Sequence, residues 1–341
     1  MSGPTAAVAV AGVLLALANP GVAQTTPAVA TLPGLDRFVP PPLHGQEDGA
    51  LVALGRRLFF DPVLSADSSL SCASCHQPAR SFADGRTVSV GVFGRRGTRN
   101  VPSIVNRGWG KAFFWDGRTT RLEEQVLRPI VEPVEMGMTL DRTVARLRKL
   151  PAWRTRFREV LGHDVSEAGV SRALAAYVRS IRAGESRFDR AMLGNAGALT
   201  ALEQRGLDLF QGRARCARCH SGALLTDESF HNTGIAWRTG EPADSGRALV
   251  TRRATDIGAF KTPTLRQVGL TAPYMHDGSL RTLGEVIDFY DRGGHPNPNL
   301  DRELHPLGLS ALEKAALLAF LGTLDGRIVE GGGREPERPF Q

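Results

Sequence analysis

Cys72-Ala-Ser-Cys75-His76 and Cys216-Ala-Arg-Cys219-His220 contain every cysteine of this 341-residue chain. Both pentapeptides have the spacing C-x-x-C-H, the attachment signal for c-type haem. Each thiol can add to one haem vinyl group, and the adjacent histidine then reaches the iron from the proximal side. Two zinc half-sites or two disulfides are the competing uses of these cysteines. A zinc site draws on paired knuckles or a closing pair of histidines, and needs no histidine abutting the second cysteine both times. Two covalently bound haem c groups are therefore expected. Cys72, Cys75, Cys216 and Cys219 would attach them, and His76 and His220 would be axial ligands.

Outward from the motifs, the sequence predicts a helix leading into each. Before the first, Leu51, Leu54 and Leu58 share one helical face. Before the second, Thr200-Ala-Leu-Glu203 is a capping box, and Gly212 closes the helix. Further capping boxes are expected at Thr120 with Glu123, Thr282 with Glu285, and Ser310 with Glu313. Val170, Leu174, Val178 and Ile181 form another apolar stripe, and period-2 alternation is scarce beyond Thr87 to Val92. The expected fold is mainly α: two cytochrome c-like haem domains with long loops, which in a helical protein usually wrap a cofactor. The expected domains are 48–190 and 191–330, with a break in the Gly-, Ala- and Asn-rich stretch 185–199 and a tail at 331–341. The helix from Ser310 could pack back on either unit.

Residues 1–23 are expected to be an export signal. Ala6 to Ala18 is a short apolar run and Gly21-Val22-Ala23 supplies small residues for cleavage, although no Lys or Arg precedes the run. The run is too short to span a membrane comfortably. Residues 24–47 are a Pro-rich segment. Export agrees with haem c, so a periplasmic protein that does not span the membrane is expected. The net charge of +7 invites a nucleic-acid reading. The arginines are dispersed, however, with no aromatic-interleaved basic stripe, and the densest cluster, Arg95-Arg96-Gly97-Thr98-Arg99, is a loop segment. No nucleic-acid partner is expected. An acidic protein or the haem propionates would use such charges equally well.

The segment Phe114-Trp115-Asp116-Gly117-Arg118, followed by Gln125, Glu135-Met136 and Thr271-Ala-Pro-Tyr-Met-His-Asp-Gly278, resembles the bacterial di-haem cytochrome c peroxidases and their MauG-like branch. The likeness runs from about Leu51 to Leu324. It implies that the first haem meets peroxide, with Glu135 as acid–base over its open face and Gln125 nearby. Heterolytic O–O cleavage needs a base that takes a proton from bound peroxide and returns it to the leaving oxygen. The resemblance also makes Trp115 the relay between the haems, and Asn100, Thr271 and Pro273 the holders of a Ca2+ ion.

Two departures from the peroxidases point to the MauG-like branch. Where those enzymes carry a loop histidine that caps the first haem, this chain has Val92, with His163 and His231 as distant substitutes. Where they carry a methionine as second axial ligand of the other haem, this chain has Tyr290, with Met275 the competing ligand. Leu283, Val286, Ile287 and Tyr290 share one stripe of a capped helix, so the phenol points inward. A phenolate stabilises oxidised iron. The implied activity is use of H2O2 to reach a high-valent (bis-Fe(IV)) state that oxidises tryptophan on a partner protein. The alternative is peroxide reduction with electrons from a small cytochrome or copper protein. One member of the branch uses a surface tryptophan two residues before the second motif as an exit for holes. Ala214 stands there, leaving Trp109, Trp153 or Trp237.

Overall fold

The computed structural model describes residues 47–238 and 240–331, together with Met1 and Gly3. The expected export signal, the Pro-rich segment up to residue 46 and the tail after Gly331 otherwise lie outside the described residues. The described chain is mainly helical, and its strands form three two-stranded ladders.

Helix Gly49–Phe60 begins at Asp48, whose carboxylate accepts from the Ala50 and Leu51 amides. Its buried face, with Val52, Leu54 and Leu58, crosses helix Glu167–Ser180 at Gly55. A Cβ on Gly55 would stand 1.8 Å from the Ala173 carbonyl oxygen, so only glycine permits this approach. The second half repeats the device. Helix Ala201–Gln211 starts in the Thr200/Glu203 capping box and crosses helix Ala311–Leu321. Here a Cβ on Gly206 would stand 2.0 Å from the Ala316 oxygen. The helix after Ser310 thus packs on the second unit.

One core runs from Val52 to Ala183 and another from Phe188 to Leu324. An antiparallel ladder ties them, pairing Arg182 with Val329 and Gly184 with Arg327. The buried pair Arg266–Asp189, 2.8 Å apart, pins the start of the second unit to its own loop.

Two local expectations fail. Thr120 caps nothing: helix Leu122–Gln125 begins at Arg121, and Glu123 pairs with Arg179 instead at 2.5 Å. A guanidinium offers a carboxylate a stronger bond than a neutral amide. Thr87 to Val92 is not a strand, since Val90 makes one bridge to Arg96 and Val92 opens a 3-10 turn. The capping boxes at Thr282 and Ser310 form as expected.

A second repeated device shapes the interior. The loops Phe113–Thr119 and Tyr274–Leu280 are each closed by a bridge between their end residues. Phe114 and Met275 occupy matching left-handed positions, with φ of 65° and 71°. Gly117 and Gly278 follow at 66° and 63°. A Cβ on Gly117 would lie 2.2 Å from Phe230 of the second unit, and one on Gly278 would lie 2.4 Å from the Thr87 oxygen of the first. Each loop therefore leans across onto the opposite unit.

Candidate haem-binding and redox site

Between the units lies a cavity of about 1090 Å³ lined by Cys72, Cys75, His76, Cys216, Cys219 and His220. It exceeds the roughly 300–1,000 Å³ of a single small-ligand pocket. His76 Nδ1 lies 3.0 Å from the Phe82 carbonyl, and His220 Nδ1 lies 3.1 Å from that of Leu225. A carbonyl can only accept, so each Nδ1 carries the proton and leaves the Nε2 lone pair for a metal. Phe82 and Leu225 are both left-handed, which turns these carbonyls back toward the histidines. Burial holds both imidazoles neutral, pushing His220 down to about 4 and His76 below its ordinary value. None of the four cysteines is paired in a disulfide. The donor set fits two thioether-linked haems.

Glu135 sits in a tight turn after Pro133, with its amide donating to the Glu132 carbonyl and its own carbonyl accepting from Val92 N at 2.8 Å. Its side chain lines the cavity together with Gln125, Pro129 and Met136. Burial raises the carboxyl to about 6; Glu132 adds to the rise and Arg118 opposes it. A carboxyl in that range takes and returns a proton near neutral pH.

Trp115 lies where the units meet. Its indole N–H donates to the Asn100 carbonyl at 2.9 Å, and its own carbonyl accepts from Lys261 N at 2.8 Å. The Asn100 amide donates in turn to the His276 carbonyl at 2.7 Å. The indole is thus fixed between the loop of the first unit and that of the second.

Val92 is fully buried and its side chain packs beside Gly137, away from the cavity wall. His163 is exposed and faces the Asp164 carbonyl. His231 lines the cavity beside the second motif, clamped by Asp301 at 2.6 Å and Asp227 at 3.0 Å. Its pKa rises to about 10 through Cys219 first, then Asp301 and Asp227, against burial. Neither histidine stands in for the one replaced by Val92.

On the other side, Leu283, Val286, Ile287 and Tyr290 of helix Leu283–Asp291 all face the cavity. Burial, then Cys216 and Cys219, push the Tyr290 phenol up, which places it at the second motif. Its hydroxyl faces the cavity and has no hydrogen-bond partner among the described residues. Met275 lines the same cavity, next to His276, whose ring stacks on Phe260 at 3.7 Å. Asn100, Thr271 and Pro273 share this wall too. The Asn100 side-chain nitrogen donates to the Arg86 carbonyl at 2.8 Å, so its Oδ1 points the opposite way. Amide and carbonyl oxygens suit a hard cation.

Several connections were not visible in the sequence. Arg99 joins Asp116 of the first unit, at 2.7 Å, to Asp244 of the second, also at 2.7 Å. Arg95 donates to the Pro133 carbonyl. The arginine cluster is therefore partly structural rather than a solvated face. Among the tryptophans proposed as exits, Trp153 is buried, and the indole N–H of Trp237 is buried without a hydrogen-bond partner among the described residues. Trp109 is 37% exposed with Arg182 over its ring. Ala214 is buried.

Known proteins share this arrangement. A family model described as di-haem cytochrome c peroxidase matches residues 49–197. Methylamine utilization protein MauG of Methylorubrum extorquens is 42% identical over 275 residues, covering 80% of this chain and 77% of that protein. Cytochrome c551 peroxidase of Nitrosomonas europaea is 35% identical over 283 residues, covering 82% and 81%. A crystal structure of a MauG-like protein associated with microbial copper homeostasis superposes with a TM-score of 0.78 at 37% identity, over 87% of this chain and 96% of that one. No helix among the described residues is long and apolar enough to cross a membrane. With this fold, this pair of haem sites and these relatives, the chain belongs to the bacterial di-haem cytochrome c peroxidase and MauG family of peroxide-acting, haem-dependent oxidoreductases.

Proposed function

We propose that this protein is a periplasmic MauG-type enzyme that uses H2O2 to oxidise tryptophan on a partner protein. The haem on His76 supplies the peroxide-reactive iron. Glu135 takes the proton from bound peroxide and returns it to the leaving oxygen, while the Gln125 amide orients the oxygens. Trp115, held from both units, passes oxidising equivalents toward the second motif. Asn100, Thr271 and Pro273 hold a Ca2+ ion beside this relay. Trp109 is the surface point from which a docked partner is oxidised.

The observation that carries this reading is the Tyr290 phenol, which lines the cavity beside Cys216 and Cys219 and whose hydroxyl bonds to no described residue. A buried hydroxyl needs a partner, and the iron of a haem held by His220 would supply one. An oxygen donor there would lower the potential of that haem and suit it to storing charge. Met275, on the same wall, favours the second reading: a peroxidase fed by a small redox protein. EPR of the oxidised holoprotein separates the two. The MauG-type reading expects one high-spin haem beside one low-spin haem, with the low-spin signal altered in Tyr290→Phe. An unchanged low-spin signal in that variant, lost instead in Met275→Leu, overturns it in favour of the peroxidase.

A further inference from the structure

From His76 a chain of aromatic rings leads into the first core. The Phe59 ring centroid lies 6.5 Å from that of His76 and 4.9 Å from that of Tyr177. Both separations fall within the contact range of aromatic pairs. Tyr177 is fully buried, and its hydroxyl donates to Glu330 Oε2. Glu330 in turn pairs at 3.4 Å with Arg56, which stands at the surface. The chain has three tyrosines, and the other two lack this arrangement. The Tyr274 hydroxyl donates to the Val268 carbonyl, which cannot take up a proton. Tyr290 has no carboxylate at its hydroxyl, its neighbours being Cys216 and Cys219.

We propose that Tyr177 is a redox-active tyrosine that drains oxidising equivalents from the proximal side of the first haem, with Glu330 as its proton acceptor. One electron leaves the phenol through Phe59 and His76 and reduces the oxidised haem site by one equivalent. The phenol O–H bond breaks as its proton passes to Glu330 Oε2, leaving a neutral phenoxyl radical beside a protonated carboxyl. Recovery takes one electron from an external one-electron donor and the proton back from Glu330. Burial, with Glu330 second, holds the phenol far above its ordinary pKa, so electron and proton must leave together. A carboxylate already hydrogen-bonded to the phenol makes that coupled loss feasible. Such a relay protects the haem pocket when no partner is docked. It rests on peroxide reacting at the His76 haem and is independent of which partner is oxidised.

The test is freeze-quench EPR of the full-length holoprotein mixed with stoichiometric H2O2, with and without ring-deuterated tyrosine. A tyrosyl signal that narrows on deuteration is expected in the wild type. Tyr177→Phe, which keeps the ring packing, should abolish it and prolong the peroxide-generated optical state at least tenfold. Glu330→Gln, which keeps a hydrogen-bond acceptor but not a base, should slow its formation by a similar factor. A full-strength signal in Tyr177→Phe, or equal lifetimes in wild type and Tyr177→Phe, overturns the relay alone. A wild type silent toward peroxide overturns both the relay and the proposed function.

Discussion

At His76 and at His220 the same supports recur in the same order. A glycine lets the lead-in helix touch a crossing helix, at Gly55 on Ala173 and at Gly206 on Ala316. A left-handed residue turns its carbonyl onto the histidine Nδ1, from Phe82 in one unit and Leu225 in the other. A bridged loop with paired left-handed positions then leans on the opposite unit. The facing walls differ. Glu135 lies near the first motif and Tyr290 near the second, with Gln125 and Met275 on the walls of the same cavity. The frame could hold a haem twice, because none of these supports draws on the facing walls. On the proposed function, reactivity would be decided by side chains contributed from elsewhere in the chain.

The sharpest way to break this division is Glu135→Gln, which keeps the shape of the wall and removes its base. The peroxide reaction should slow by about 10²–10⁴-fold, the range of general acid–base catalysis. The absorption and EPR of the second haem should not change. An equal effect on both haems would mean that the walls are coupled through the cavity. In the wild type the same carboxyl should set the pH profile. With its pKa near 6, the ionised base is present above pH 6, and the rate should fall about tenfold per unit below it. Stopped-flow mixing with peroxide at constant ionic strength checks this. A flat profile from pH 5 to 8 removes Glu135 as the base.

Next in size is the pair Gly55→Ala and Gly206→Ala. Each added methyl meets a backbone carbonyl, so a helix must move, at a cost of about 1–3 kcal/mol or more. If the two frames are equivalent, both variants should lower the melting temperature, by roughly 2–4 °C per kcal/mol. One harmless variant would show that the two crossings are not equivalent.

The frame was more legible in the sequence than the wall. C-x-x-C-H, the capping boxes at Thr200, Thr282 and Ser310, and the stripe from Val170 to Val178 are local signals, and local structure obeys them. Thr120 shows the limit: its carboxylate partner Glu123 is drawn off by Arg179, 56 residues away, and the cap is lost. The Arg99–Asp244 bond joins residues 145 apart, and no spacing rule reaches that far. Glu135, Gln125 and Tyr290 were found through family resemblance. The stripe from Leu283 to Tyr290 independently put the phenol on an inward face. That resemblance could not supply the carbonyl partners of His76 and His220, the clamp on His231, or the burial that lifts Glu135 toward neutrality.

The smallest expected effect probes how far the first wall is tuned by its own neighbours. Glu132 is the second cause of the raised Glu135 pKa, after burial. Replacing it with Gln removes a negative charge, so Glu135 ionises more readily and its pKa moves down from about 6 toward the ordinary carboxylate value. The acid limb of the peroxide profile should shift to lower pH, raising the rate at pH 5 by less than about tenfold, while the rate above pH 7 stays at the wild-type level. The profile and the low-spin signal of the second haem are read on the same samples. A shifted limb with an unaltered low-spin signal confines the tuning to the first wall. An acid limb that stays in place would leave burial as the whole cause of the raised pKa and Glu132 as a bystander.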